Sequence, residues 1–376
     1  MQTSSHGLET RLIVSESDWN SIRADWEDLY ARSACAVIPL SFDWLRTWWN
    51  VYGSEYGRLG LRILSWWRGS RLIGVLPLYQ TRGRYGVAQL RFISTGEAEF
   101  EETCPDYMNL MCLPGEESAC ADAAWLGIRQ LKWDCLELMD LPSDAFLARS
   151  PQLPAGAKIV PRGRCPIADL TGGFEAYLGR LSANTRGQAR RLIREGERAG
   201  VRFALATAES APAVFDEMAM LHQSRWTARG KVGAFGAPRF LEFHRSLIAT
   251  WINDGTAVLA QLSRGSNTLA VLYGFVRGPI FSFYQAGVRV EDAMPLHSPG
   301  NLAHLLLIQY LAGRGVITYD FLRGSAAYKE RLARGANELI TLRCWRESSG
   351  ARARRALVVL GKIANRGRRA LQRKRL

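Results

Sequence analysis

Four side chains suited to acid–base or anion-binding chemistry lie close together late in the sequence: Asp320, Arg323, Tyr328 and Lys329. The apolar alternation before them predicts the end of a strand, and Tyr328 opens a segment with a helical pattern. A tyrosine hydroxyl can protonate a leaving thiolate, a lysine or arginine can hold phosphate, and an aspartate can orient either group. A salt-bridge network that only stabilises the turn would use the same residue types.

A second candidate is the basic segment from Arg180 to Arg202, which has seven arginines against two glutamates. Asn184 and Arg186 stand at the start of its predicted helix, and Arg190 and Arg194 share one helical face because they are four residues apart. Such a face suits a phosphate-bearing substrate or cofactor. A solvated face partly balanced by the two glutamates is the alternative.

The third candidate is the tripeptide Ser298-Pro299-Gly300, which opens a predicted helix. Proline fits the first helical turn, and the free backbone N–H groups there can bind a ligand oxygen. An ordinary helix N-terminus with nothing bound would look the same in sequence.

The composition argues against several other chemistries. The seven cysteines form no C-x-x-C pair, and neither they nor the five histidines have zinc-ligand spacing. There is also no P-loop, dinucleotide fingerprint, H-E-x-x-H motif or partnered nucleophile elbow. We therefore expect no metal site, and we expect most cysteines to be buried free thiols.

The 376 residues are enough for two domains, and 47% hydrophobic and 22% charged residues are normal for a folded protein. Both halves read helix, helix, three antiparallel strands, helix, strand. This order predicts an α/β (α+β) protein with mixed, mainly antiparallel sheets flanked by helices.

Several individual elements are predicted from local patterns. Apolar spacing predicts one helix over Trp19–Tyr30, capped by Ser17 or Asp18. Alternation predicts one strand over Arg71–Gln80. The proline- and glycine-containing stretch Pro142–Pro166 is predicted to connect the two halves.

The sequence resembles GNAT-fold acyltransferases of the CelD type, associated with cellulose and exopolysaccharide biosynthesis, and their relatives the Fem-type aminoacyl transferases. The similarity is best over Ile167–Trp345. Four motifs carry it in order: "LSANTRGQARRLIREGERAG", "LHQSRWTARGKVGAF", "SPGNLAHLLLIQYL" and "YDFLRGSAAYKERLA". In the first half, "CPDYMNL" around Asp106 is the best match.

The resemblance implies two tandem GNAT-like units, over residues 1–160 and 161–348, followed by a basic tail at 349–376. It implies that the second unit binds acyl-CoA where two strands separate. Ser298, Pro299 and Gly300 would hold the pyrophosphate together with Arg323 and Lys329. The usual glycine-rich pyrophosphate loop is missing, which leaves the identity of the donor open.

The same resemblance assigns roles to residues of the site. Tyr284 would face the acyl group, Asp320 or an ordered water would act as base, and Tyr328 would protonate the thiolate, although the last two roles can be exchanged. The predicted substrate-binding residues are Asp106, Asn184, Arg186, Arg190, Arg194 and Trp226.

The resulting hypothesis is an acyl-CoA-dependent N- or O-acyltransferase. Its acceptor would be a sugar, amino sugar or lipid-linked precursor of the cell envelope or an exopolysaccharide. A transferase that takes its acyl group from aminoacyl-tRNA is one alternative. A non-catalytic accessory protein of polysaccharide synthesis is another.

The net charge of +14 is concentrated at the C-terminus, where residues 350–376 contain ten Lys or Arg and no acid. Apolar residues lie among these cations, which is typical of an amphipathic segment at an anionic membrane surface. Nucleic acid, including tRNA, is the competing partner, and a disordered tail is the third possibility. No signal-peptide or membrane-spanning pattern is present, so we expect a cytoplasmic protein with peripheral contact to the inner membrane.

Overall fold

The computed structural model describes residues 2–3, 7–289 and 298–373. The chain forms two compact units, each built from segments that are distant in sequence. Unit 1 comprises Met1–Gly96, Tyr107–Arg162 and Leu339–Leu376, and unit 2 comprises Glu97–Asp106 and Gly163–Glu338. The short segment Glu97–Asp106 therefore belongs with the second half of the chain.

In chain order, the described strands are β1 (Gln2–Thr3), β2 (Glu9–Ile13), β3 (Ile63–Arg68), β4 (Arg71–Leu76), β5 (Leu78–Arg82), β6 (Ala88–Phe92), β7 (Met111–Cys112), β8 (Cys135–Pro142), β9 (Lys158–Asp169), β10 (Arg202–Leu205), β11 (Ala257–Arg264), β12 (Asn267–Arg277), β13 (Ile280–Val288), β14 (Thr318–Asp320) and β15 (Gly335–Trp345). The described α-helices are α1 (Glu16–Ser21), α2 (Arg23–Arg32), α3 (Phe42–Tyr56), α4 (Glu117–Gln130), α5 (Phe146–Arg149), α6 (Gly173–Arg180), α7 (Ala183–Arg198), α8 (Ala211–Thr227), α9 (Pro238–Trp251), α10 (Pro299–Ala312), α11 (Ala327–Leu332) and α12 (Ser349–Arg373).

Unit 1 contains an antiparallel sheet in the order β1-β2-β3-β4-β7. In a second group of strands, β5 pairs with β6, β6 with β8 in parallel, and β8 with the C-terminal part of β15. Its core is rich in large aromatic side chains, which bury much apolar area per residue. Six tryptophans are less than 2% exposed, namely Trp19, Trp26, Trp44, Trp48, Trp66 and Trp125.

Three local predictions in unit 1 are wrong in detail. The helix predicted over Trp19–Tyr30 is two helices, α1 and α2, separated at Ile22, and Ser15 caps the first by accepting a hydrogen bond from the Asp18 N–H. The strand predicted over Arg71–Gln80 is divided into β4 and β5 at Pro77, which has no N–H to donate to a ladder.

The connector predicted over Pro142–Pro166 contains most of the 12-residue strand β9. Its burial pattern lacks the alternation that identifies a half-buried strand, because its first four residues are all exposed. Prolines at positions 161 and 166 also conceal it, since proline normally argues against a strand interior.

The sheet of unit 2 has the order β10-β11-β12-β13-β14-β9. All neighbours are antiparallel except β13 and β14, which pair in parallel over only three positions, ending at Ser282 opposite Asp320. Strand β14 stops there, whereas β13 continues to Val288. The two strands therefore separate in the middle of the sheet.

The two faces of this sheet are covered by different helices. Consecutive residues of a strand point to opposite faces, so Phe283 and Tyr284 of β13 mark the two sides. Phe283 packs edge-on against His304 of α10, with ring centroids 4.6 Å apart. Tyr284 packs against His244 of α9, also at 4.6 Å. The predicted fold class, mixed and mainly antiparallel sheets flanked by helices, is confirmed.

Helix α8 packs very closely on β13 at Gly287. A Cβ atom added there would lie 2.3 Å from the carbonyl oxygen of Met218 and 3.0 Å from the Cβ of Leu221. Because the obstacle is helix backbone, we expect Gly287→Ala to lower the free energy of unfolding by about 1–3 kcal/mol, the usual cost of overpacking. Urea denaturation measures this change.

Gly179 in α6 is the matched control, because a Cβ there meets nothing within 4 Å. Gly179→Ala should raise the stability by about 0.5–1 kcal/mol through helix propensity. Equal changes in the free energy of unfolding for the two substitutions would contradict the close packing of α8 on β13 at Gly287.

Candidate functional site

A cavity of about 770 Å³ opens beside the point where β13 and β14 separate. One wall is formed by the segment Glu97–Asp106, and another by the end of α8 and the 3₁₀ turn Ala234–Gly236. The sheet contributes its floor. All the lining residues belong to unit 2: Glu99, Phe100, Glu102, Cys104, Asp106, His222, Trp226, Lys231, Val232, Gly233, Ala234, Phe240, Tyr284, Gln285, Leu322, Arg323 and Gly324.

The first wall is held by an ion pair between Asp106 and Arg323. The Asp106 carboxylate is 4% exposed and accepts the Arg323 backbone N–H at 2.6 Å and its Nε–H at 3.2 Å. Removing a buried carboxylate from water is costly unless such bonds compensate. Glu102 lies 3.7 Å from the Arg323 guanidinium and extends the network. Arg323 is therefore occupied in positioning the wall.

Lys329 stabilises the turn after β14. Its ammonium is buried and donates to the carbonyls of Phe321, Leu322 and Arg323 at 2.6, 3.2 and 3.1 Å. An ammonium has three protons, so all its donors are used within the turn. Burial lowers the pKa of Lys329, which the nearby carboxylate of Asp106 partly offsets.

The backbone of this turn is strained. Leu322 in the turn has φ 53°, and Cys104 in the segment Glu97–Asp106 has φ 44°. Both residues line the cavity. Non-glycine residues in the left-handed region cost of order 1–3 kcal/mol and concentrate at functional sites. Asp320 supports the turn, since its carboxylate accepts the Leu322 N–H at 2.7 Å.

Tyr284 lines the cavity, but its hydroxyl is already engaged. It donates to the carbonyl of Thr103 at 2.6 Å, so Nε2 of His244, 3.0 Å away, donates to the same hydroxyl oxygen. Nδ1 of His244 then accepts from the hydroxyl of Tyr273 at 3.3 Å. This chain of hydrogen bonds fixes the position of Tyr284 in the wall.

His222 is the residue that sequence reasoning missed. It lies on α8, 6% exposed, between the rings of Trp226 and Phe235, with centroids 5.8 and 4.9 Å away. Its Nδ1 has no hydrogen-bond partner among the described residues. Burial, with a smaller contribution from the Arg225 charge, lowers the pKa of His222 to about 4. The imidazole is therefore neutral near pH 7.

A smaller cavity of about 270 Å³ lies at the N-terminus of α10. It is bordered by α7, α10 and α11, and its lining residues are Thr185, Gln188, Ala189, Arg191, Leu192, Glu195, Ser298, Asn301, Leu305, Tyr328, Arg331 and Leu332. The Tyr328 ring stacks on His304 at 5.1 Å, and burial raises the pKa of Tyr328 to about 12. Its hydroxyl thus keeps its proton at neutral pH.

The predicted site residues are distributed over these places. Asp106, Trp226, Tyr284 and Arg323 line the large cavity, and Ser298 and Tyr328 line the small one. Pro299 and Gly300 form the first turn of α10. Asp320 and Lys329 form hydrogen bonds with the backbone of the turn that follows β14.

The four predicted residues of α7 border neither cavity. Asn184 accepts from Gln188 at 3.2 Å, Arg186 donates to the Gly179 carbonyl at 3.2 Å, and Arg190 pairs with Glu175 at 2.7 Å. Arg194 is exposed. Their role in substrate binding stays a prediction.

Two further properties concern ligands and membranes. Among the described residues, no three His, Cys, Asp or Glu side chains are placed to hold a metal ion. Over the same residues, no helix combines the length and apolarity needed to cross a bilayer.

Residues 183–330 match the sequence model of the acetyltransferase (GNAT) domain. The matched range includes α8, the separated strands and the lining of both cavities, except the Glu97–Asp106 wall of the large one and Arg331 and Leu332 of the small one. The protein is an acyltransferase. No curated protein sequence matches the chain.

Solved structures share the fold at low sequence identity. The chain is similar to FemX with a TM-score of 0.62 and 11% identity, over 88% of this chain and 96% of that one. The C-terminal domain of a putative lysylphosphatidylglycerol synthetase from Agrobacterium fabrum gives a TM-score of 0.52 and 12% identity, over 90% and 95%. A protein of unknown function from Bacteroides thetaiotaomicron gives 0.54 and 11%, over 90% and 100%.

Acid should destabilise the acyltransferase through its buried histidines. Burial lowers the pKa of His304 to about 3, so the unfolded chain, with an ordinary histidine pKa of 6.5, binds the proton first as the pH falls. Stability is therefore lost below pH 6.5, by about 2 kcal/mol for each such imidazole at pH 5. Urea denaturation across this range measures the slope.

His304→Gln tests the assignment, because glutamine cannot titrate. We expect the variant to be less stable at pH 7, since it loses the 2.7 Å bond between Nδ1 and the Tyr319 hydroxyl. Its stability should nevertheless depend less on pH between 6.5 and 5. An unchanged slope would mean that His304 is not held neutral by burial.

Proposed function

We propose that the protein is an acyl-CoA-dependent N- or O-acyltransferase that transfers the acyl group directly within unit 2. The observation that carries this proposal is the 770 Å³ cavity at the separated strands, with the buried and unpartnered His222 in its wall. A cavity of this size is typical of a small-molecule or cofactor site.

The donor and the acceptor reach the reaction from opposite faces of the sheet. The donor phosphates would bind in the small cavity, where α10 presents its N-terminal N–H groups beside Arg191 and Arg331. The acyl chain would enter the gap beyond Ser282 and Asp320. The large cavity on the other face would then hold the acceptor.

In the proposed reaction, His222 takes the proton from the acceptor amine or hydroxyl. The acceptor atom forms a bond to the thioester carbonyl carbon, and the carbon–sulfur bond breaks. Tyr328 donates its proton to the leaving thiolate, so free CoA thiol is released, and exchange through solvent returns a proton from His222 to Tyr328. Asp320 and Lys329 position the turn and transfer no proton.

We further propose that the acceptor is a sugar, an amino sugar or a lipid-linked precursor of the cell envelope or an exopolysaccharide. The CelD-type motifs support this class. The acceptor cavity combines charged side chains (Glu99, Glu102, Lys231) with aromatic ones (Phe100, Trp226), which suits a polar acceptor with an apolar face.

Replacing His222 tests the proposed reaction. We expect His222→Gln to lower kcat/KM by roughly 10²–10⁴, the usual contribution of a positioned base, while the Kd for acyl-CoA stays the same. Release of CoA thiol measures transfer, and calorimetry measures donor binding. Met220→Gln is the control, because Met220 lies on the same helix and is 55% exposed, outside the cavity.

Chemical rescue separates a base from a packing residue. His222→Ala leaves room for a free imidazole beside the cavity, and added imidazoles should restore transfer in the order of their basicity. Full activity of His222→Gln would contradict the proposed role. If the protein transfers to no acceptor but still binds a polysaccharide synthase, this result would support the accessory-protein alternative.

The donor is tested separately from the acceptor. On protein stripped of nucleic acid, we expect acetyl-CoA or a longer acyl-CoA to raise the melting temperature, because a ligand that binds only the folded state stabilises it. Arg191→Gln with Arg331→Gln should reduce the shift. Arg198→Gln, which removes a charge from α7 outside the small cavity, should not.

The similarity to the FemX fold and the basic face of α7 favour one alternative donor, an aminoacyl-tRNA. If no acyl-CoA raises the melting temperature and the protein transfers an acyl group from charged tRNA, the donor is aminoacyl-tRNA and not acyl-CoA.

A further inference from the structure

A second groove, in unit 1, has the features of an anion-binding site. It has a volume of about 480 Å³ and lies between the strands β6, β8 and β15 and the helix α12. Its lining residues are Gly83, Arg84, Val87, Gln89, Arg91, Cys135, Glu137, Gly156, Lys158, Arg343, Trp345, Arg355, Val358 and Val359. It takes no part in the reaction proposed for unit 2.

The floor of the groove is a row of three charged residues across three strands. Glu137 is in register with Arg91 on one side and with Arg343 on the other. The Glu137 carboxylate pairs with Arg91 at 2.7 Å and also with Arg343. One carboxylate therefore serves two guanidiniums, which leaves the row with a net positive charge.

Further donors in the groove remain available to a ligand. Nε of Arg91 has no hydrogen-bond partner among the described residues, but it is buried, so Arg91 contributes charge to the groove rather than an accessible donor. Arg84, Lys158 and Arg355 add three more cations, and Glu137 is the single acid among the described residues that line the groove. Burial raises the pKa of the Cys135 thiol to about 12, so the floor carries no thiolate that would repel an anion.

The helix beside the groove is fixed in place and exposes apolar side chains. Arg354 pairs with Asp134, which is 6% exposed, at 2.9 Å. This pair anchors the start of α12 on unit 1. Further along the helix, Leu357, Val359 and Leu360 are 48%, 49% and 62% exposed. The groove therefore combines a cationic floor with an apolar rim.

We propose that this groove binds the phosphate-bearing headgroup of an anionic phospholipid while α12 lies in the membrane interface. Guanidinium groups match phosphate oxygens in geometry and charge. The exposed apolar residues of α12 would contact acyl chains, as in interfacial amphipathic helices. Nucleic acid would satisfy the cations but would leave this apolar rim exposed to water.

The proposal separates two mechanisms of membrane binding. In the first, the charge of the tail alone attracts the surface, and every cation of α12 contributes about equally. In the second, the headgroup enters the groove, and cations that line it contribute more, even when they lie on a strand. Lys158 and Arg352 distinguish the two, because Lys158 is in β9 and lines the groove, whereas Arg352 is on α12 and does not.

The experiment measures binding of the full chain, stripped of nucleic acid, to vesicles of phosphatidylcholine alone or mixed with phosphatidylglycerol. We expect binding only when phosphatidylglycerol is present. Lys158→Gln and Arg355→Gln should each weaken it by at least roughly fivefold, the effect of one cation near an anionic surface. Arg352→Gln should weaken it less. All three residues are exposed, so the variants should fold, and an unchanged melting temperature verifies this.

Three results would overturn the proposal. Equal losses in Lys158→Gln and Arg352→Gln would mean diffuse attraction without a site. Displacement from the vesicles by inorganic phosphate at matched ionic strength, which a lipid held also by its chains should resist, would assign the groove to a free phosphate compound. Binding of RNA that depends on Lys158 and Arg355, without vesicle binding, would assign it to nucleic acid. Neither vesicles nor these variants depend on acyl transfer, so failure of the proposed function would not affect the outcome.

Discussion

The candidate active site depends on one buried carboxylate. Asp106 reaches Arg323 through both a backbone N–H and a side-chain N–H, and in this way attaches the segment Glu97–Asp106 to the turn after β14. A carboxylate with so little exposure is stable only when its oxygens are hydrogen-bonded. The same pair therefore supplies one wall of the large cavity and holds the strained turn that borders it.

The GNAT fold provides the rest of the site through a local interruption of its sheet. The pairing of β13 with β14 covers only three positions, so the two strands are no longer paired beyond Ser282 and Asp320. In the proposed function, the donor and the acceptor meet at this interruption. Two polar side chains near this interruption already have hydrogen-bond partners. Lys329 donates to three backbone carbonyls, and the Tyr284 hydroxyl bonds to Thr103 and His244. These groups have a positioning role, and the proposed reaction therefore assigns the proton transfers to His222 and Tyr328.

Much of this architecture could be predicted from sequence, because regular patterns determine it. The strands from Thr256 to Gly287 and the helix that begins at Pro299 follow alternation and helix-start signals. Strand β9 was hidden by its prolines and its exposed first half. The membership of Glu97–Asp106 in unit 2 was hidden as well, since no local pattern reports a contact across 217 positions. His222 has no distinctive spacing to other candidate residues. The one sequence signal for a functional role is that it precedes Trp226 by a single helical turn, inside the motif "LHQSRWTARGKVGAF".

The separation of Asp106 from Arg323 along the chain also affects how the protein is made. A ribosome adds about 5–20 residues each second, so the 217 positions between them take roughly 10–40 s to synthesise. During that interval the Asp106 carboxylate has been produced and its arginine has not. The segment must stay hydrated while much of unit 1 is already available for folding, and Asp106 can be paired only when the turn after β14 emerges. Assembly of unit 2 is therefore a late event in biosynthesis, and a chain interrupted before Arg323 would lack part of the lining of the large cavity.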